Sequence, residues 1–78
     1  MSLSIRSRMV EIGGQYRQVS LVSRDGYHSV CVDGLVMVDR ESLTIAERVY
    51  DSVADPSAHL GSESSEVAKS IRMWAERI

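Results

Sequence analysis

Tyr27-His28-Ser29-Val30-Cys31-Val32-Asp33-Gly34-Leu35-Val36-Met37-Val38-Asp39 decides the reading of this chain, because it joins two apolar runs through a dipeptide suited to chain reversal. A two-residue type I′ turn needs positive φ at both central positions, and Asp-Gly tolerates that better than most pairs. The same signal recurs upstream at Asp25-Gly26, between Gln15–Ser23 and Tyr27–Val32. If both turns hold two residues, Leu21 pairs with Val30, Val19 with Val32, Val32 with Leu35 and Val30 with Met37. The two turns then agree in placing Val19, Leu21, Val30, Val32, Leu35 and Met37 on one face. That agreement matters, since a one-residue slip exchanges the faces of a strand.

Working outward, 3–12 alternates loosely and reads as a first strand ending at Gly13-Gly14. A two-residue turn there would put Arg6 and Arg8 on the core side, whereas a three-residue bulged loop would put Ile5 and Met9 there. The bulged loop is expected, because burying two unpaired guanidinium groups is costly. After Asp39 the apolar period changes from two to 3.6. Leu43, Ala46, Val49, Tyr50 and Val53 predict a helix over 42–54, with Thr44 and Glu47 spaced as a capping box. Asp55-Pro56 should end it, because the residue before proline avoids the α region. A connection through His59 and Gly61 leads to Ser62, a candidate N-cap, and Val67, Ile71, Trp74, Ala75 and Ile78 form the stripe of a second helix over 63–78.

The expected fold is α+β: one domain over 1–78, a four-stranded antiparallel meander followed by two helices packed on one sheet face, in the order ββββαα. In chain length and in this order of elements, the chain resembles some small phage-encoded inhibitors of bacterial defence complexes. That resemblance implies a bacterial or phage protein that works by covering a partner. It rests on element order, which by itself does not carry function.

Composition sets further bounds. A chain of roughly 60 residues buries only about 60% of its unfolded surface, so a 78-residue core is thin and a second subunit would usefully cover part of it. Apolar residues at 44% and charged residues at 26% argue against disorder. A net charge of −2 creates no global field for nucleic acid or membrane, although residues 1–30 carry +2 and residues 31–78 carry −4. One cysteine, no leader-like apolar segment and no run of about 20 apolar residues make a cytoplasmic, non-membrane protein the expectation.

Chemistry is hard to place in this chain. His28 and Cys31 have opposite side-chain parity on one strand, so a nucleophile–base pair is not expected and no catalytic residue is assigned. The chain contains neither CxxC nor HxxxH, and Gly13-Gly14 does not have the spacing of a phosphate-binding loop. No metal, cofactor or small-molecule substrate is therefore expected. A strand followed by two helices has the order of a ribbon-helix-helix repressor, but Leu35, Val36, Met37 and Val38 offer no polar groups to read bases.

Two surfaces remain. The sheet face away from the helices should carry Val22, Cys31, Val36 and Val38 with Ser20 and Ser29 between them, half apolar where such a face is normally polar. The first helix presents Glu47 and Asp51. These residues point to a protein partner, with a homodimer through the sheet face or the 35–39 edge as the simplest arrangement, unless the N-terminal strand folds across the patch. The rival expectation is a nucleic-acid-binding regulator that uses Arg6, Arg8, Arg17 and Arg24 on the first hairpin as a phosphate-contacting stripe. The near-neutral net charge weighs against it.

Overall fold

Three reversals shape the sheet, each at a Gly-Gly or Asp-Gly pair with positive φ at both positions: 62° and 82° at Gly13 and Gly14, 51° and 81° at Asp25 and Gly26, 50° and 82° at Asp33 and Gly34. The computed structural model describes residues 2–55 and 62–77, with side chains described over 3–55 and 66–77. Strands β1 (Ser2–Ile12), β2 (Gln15–Arg24), β3 (Tyr27–Val32) and β4 (Leu35–Glu41) form one antiparallel sheet in the order β1-β2-β3-β4. Helices α1 (Leu43–Ala54) and α2 (Ser62–Arg77) follow, completing the ββββαα order. Both cover the same face, with α1 over β2 and β3 and α2 against α1 and β1.

The middle of the sheet has the expected register: Leu21 pairs with Val30 and Val19 with Val32, and all four side chains are fully buried. Ile12, Val49 and Val53 complete the largest buried side chains, so the core lies between the central strands and α1. Asp33 extends the ladder past Val32: its N–H donates to the Gln18 carbonyl at 2.8 Å, and its carboxylate accepts from the Gln18 N–H at 2.9 Å.

The first hairpin corrects the expected register. Ile12 pairs with Gln15, Val10 with Arg17, Arg8 with Val19 and Arg6 with Leu21, so Gly13-Gly14 is a two-residue turn. Val10 and Ile12 are buried, whereas Met9 and Ile5 are exposed and Ile5 is the extra residue of a bulge. The expected desolvation penalty does not arise, because β1 is an edge strand and Arg6 reaches past the helical layer into solvent. Its guanidinium lies 3.8 Å from a Glu47 carboxylate oxygen and 3.9 Å from one of Asp51.

The last strand departs from the simple ladder as well. Val32 pairs with Leu35 and Cys31 with Val36, but Val30 pairs with Val38 rather than Met37, and His28 pairs with Glu41. Two extra residues are thus inserted opposite β3, and Arg40 takes a left-handed φ of 56°. Val38 consequently turns to the helix side and packs against the core with Met37, correcting its expected place on the outer face. Bulges twist an edge strand away from further pairing, so β4 is a poor template for edge-to-edge association.

Helix α1 is capped ahead of the predicted capping box. Ser42, not Thr44, is the N-cap, and its Oγ accepts from the Ile45 N–H at 3.3 Å. Asp55 ends the helix in an extended conformation, as the following proline requires. Pro56, His59 and Gly61 lie outside the described residues. In α2 the buried side is Ala68, Ile71 and Ala75 with Trp74 beside it, while Val67 is 41% exposed. The stripe is rotated toward the alanines, whose small side chains let α2 lie close to α1 and to the first turn. A Cβ added at Gly13 would stand 3.1 Å from the Cα of Glu76.

Two arginines tie the helices down through backbone carbonyls. Arg72 donates to the Val53 carbonyl in the last turn of α1 at 2.7 Å and to the Glu11 carbonyl of β1 at 3.4 Å. The last turn of α1 has no basic residue of its own, so Arg72 also supplies the cation that a helix C-terminus favours. Arg17 donates to the Ala75 carbonyl at 3.4 Å and pairs with Asp33 at 2.9 Å.

Candidate docking surface

The outer sheet face can be read row by row from the pairing. Glu11 and Tyr16 stand at the Gly13-Gly14 end. Next come Met9 and Gln18, and then the middle row of Ser7, Ser20, Cys31 and Val36. Beyond it lie Ser4, Val22 and Ser29, and Arg24 and Tyr27 close the face at the Asp25-Gly26 end. Between its two charged ends the ladder of β1, β2 and β3 is uncharged and made mostly of small side chains, and Asp39 of β4 stands beside Ser29. No described residue lies over it: both helices are on the opposite side, and the N-terminal strand pairs beside β2 instead of folding across the patch.

This surface has relief. Cys31 and Ser29 are only 8% and 5% exposed, although they point away from the helices. They form the floor of an open hollow of about 380 Å³ whose walls include Val22, Arg24, Val36 and Asp39. Val36 is 55% exposed on one side, and Met9 stands up from the neighbouring row at 58%. The Ser29 hydroxyl donates to Asp39 Oδ1 at 2.6 Å, and the Arg40 N–H donates to the same oxygen at 2.9 Å. The Ser29 bond is the main reason that the Asp39 carboxyl is held below its ordinary range. Burial, reinforced by the charge of Asp39, pushes the Cys31 thiol up, so it is held as the neutral thiol.

Of the residues singled out from the sequence, Val22, Cys31 and Val36 come together here and Val38 does not. His28 shares the helix side with Val30, opposite Cys31, so the strand separates the two as the parity argument requires. Met9 was expected in the core; its place on the outer face follows once both glycines of the first turn take positive φ. The Ser29–Asp39 bond depends on the β4 bulges, for which the sequence has no local signal.

The remaining candidates are dispersed. Glu47 and Asp51 flank Arg6 of their own chain. Arg6, Arg8 and Arg17 share the helix-side register of Leu21, Val19 and Val10, whereas Arg24 is on the outer face. Arg17 is further engaged by Asp33, by Gln15 at 2.9 Å and by Ala75. The four guanidinium groups therefore do not line one stripe. Among the described residues, no three His, Cys, Asp or Glu side chains gather as a metal site requires, and no helix is long and apolar enough to cross a membrane. Comparison with protein-family models, curated proteins and solved structures finds no match to this chain.

Proposed function

We propose that this chain is a non-catalytic, cytoplasmic protein-interaction module that works by laying the outer face of its sheet on a partner protein, as a small inhibitor does. The observation that carries the proposal is the middle of that face, where Val22, Cys31 and Val36 lie among serines with no described residue above them. An antiparallel sheet with one face on helices normally solvates the other through polar side chains. Contiguous apolar surface in that position marks an interaction site. Small side chains also let a partner approach closely without displacing long, ordered charged groups. The acidic side of α1 adds less, since Glu47 and Asp51 already have Arg6 beside them. The arginines give little support to a nucleic-acid contact, because they are divided between two faces.

Val36→Asp tests the proposal. It places a charge in the middle row at a position exposed enough to leave the fold intact. Wild type and variant are passed in parallel over the same bacterial extract, with thermal unfolding of each measured by circular dichroism. Partners should be retained by wild type and lost by the variant at unchanged melting temperature. Equal retention by both would exclude the face. Retention of wild type on heparin with a steep salt dependence would favour nucleic acid instead.

A further inference from the structure

The outer face has a polarity that suggests its occupant. One end carries Glu11 with Tyr16, the other Arg24 with Tyr27 near the Asp39 carboxylate, and the row Ser7-Ser20-Cys31-Val36 lies midway between them. A two-fold axis across the strands through that row lays each end over the opposite end of a second copy. Glu11 and Tyr16 then meet Arg24, giving an opposite-charge contact and a ring beside a guanidinium. The same operation lays β1 over β1, so that the exposed Met9 comes over Ser4 with Val22 on the adjacent strand beside it. One symmetry operation thus pairs opposite charges and sets Met9 beside Val22, which is the self-complementarity an isologous contact needs.

We infer that the partner seated on this face is a second copy of the chain, forming a two-fold dimer with sheet packed on sheet. The inference rests on the docking reading above and names its occupant. With strands about 4.8 Å apart and a rise of about 3.3 Å per residue, the five rows span roughly 500 Å² per copy. Pairing two such faces buries about 1,000 Å², near the lower limit for a specific interface. Sheets pack about 10 Å apart, a separation that small side chains in the middle row accommodate. The bulged β4 edge makes the alternative, strand-to-strand pairing, less favourable.

Sedimentation equilibrium of the intact chain, over a concentration range reaching the high micromolar, provides the test. Wild type should move from monomer to dimer, and Val36→Asp should remain monomeric. Glu11→Arg sets two cations against each other at the contact with Arg24, and Arg24→Glu sets two carboxylates against each other at the contact with Glu11; each should weaken association about tenfold. The double variant Glu11→Arg/Arg24→Glu should restore it, because the contact is re-formed with its polarity reversed. A monomeric wild type throughout the range, or a double variant no tighter than the singles, overturns the inference. In that event, loss of an extract partner by Val36→Asp would leave the docking reading standing with a different protein as occupant.

Discussion

Replacing Gly13 by alanine tests how α2 is seated on the sheet, and Gly14 provides the internal control. Both residues have positive φ, 62° and 82°, so an L side chain at either position costs about 1–2 kcal/mol in backbone strain. They differ in what the new methyl group meets. At Gly14 nothing lies within 4 Å, whereas at Gly13 the Cβ would stand 3.0 Å from Cγ and 3.1 Å from Cα of Glu76. The Glu76 side chain can move aside, but its Cα moves only if the end of α2 lifts. Crowding of this kind adds on the order of 1–3 kcal/mol, so Gly13→Ala should be the more damaging variant by that amount. For a domain of this size each kcal/mol lowers the melting temperature by roughly 4–8 °C. Urea unfolding followed by fluorescence is well suited to the comparison, because the only tryptophan, Trp74, lies on α2 and packs against the core. Gly13→Ala should show the lower midpoint and an altered native fluorescence, while Gly14→Ala shifts the midpoint alone. Equal midpoints and equal native spectra would refute the close seating of α2 on the first turn.

Other perturbations follow from the same contacts. Arg72→Met removes charged donors from the Val53 and Glu11 carbonyls while keeping the aliphatic stem. Thermal unfolding should register a loss of about 1–3 kcal/mol, and a variant as stable as wild type would show that water satisfies those carbonyls equally well. The carboxyls of Asp33 and Asp39 are both depressed, chiefly by hydrogen bonds from Arg17 and Ser29 respectively. A depressed folded-state value adds stability above the ordinary carboxylate range, near pH 4, and that stability is lost as pH falls through the folded-state values. Urea midpoints should therefore drop below about pH 4, less steeply in Asp33→Asn and Ser29→Ala; an unchanged slope in both would dismiss these two linkages.

Much of the fold is legible because the decisive signals are local. Asp25-Gly26 and Asp33-Gly34 each permit a tight reversal, and their agreement identifies Val19, Leu21, Val30 and Val32 as core residues before any contact is known. The shift to a 3.6-residue period after Asp39 and the stop at Asp55-Pro56 likewise depend on the chain's own stereochemistry. The docking face is legible in part: Val22, Cys31 and Val36 follow from the central registers, but Met9 and Val38 each stand on the side opposite to expectation. For Met9 the reason is that the cost of burying arginine applies to a central strand and not to an edge. For Val38 it is that the ladder carries bulges where an unbroken one was expected.

The sequence by itself determined the number and order of the elements, the pairing of β2 with β3, and the reversals at Asp25-Gly26 and Asp33-Gly34, because each depends on φ preferences and side-chain periodicity within a few residues. Only the tertiary structure decided that Arg6 could stand on the helix side. That depends on β1 being an edge strand, whose long side chains extend beyond the helical layer to water and to Glu47 and Asp51. It also decided where β4 bulges, since an inserted residue is selected by how Val38 and Met37 fill space against the core and by the Asp39 bond to Ser29. Edge position and packing arise only when distant segments meet, so neither is encoded in the neighbourhood of the residues they govern.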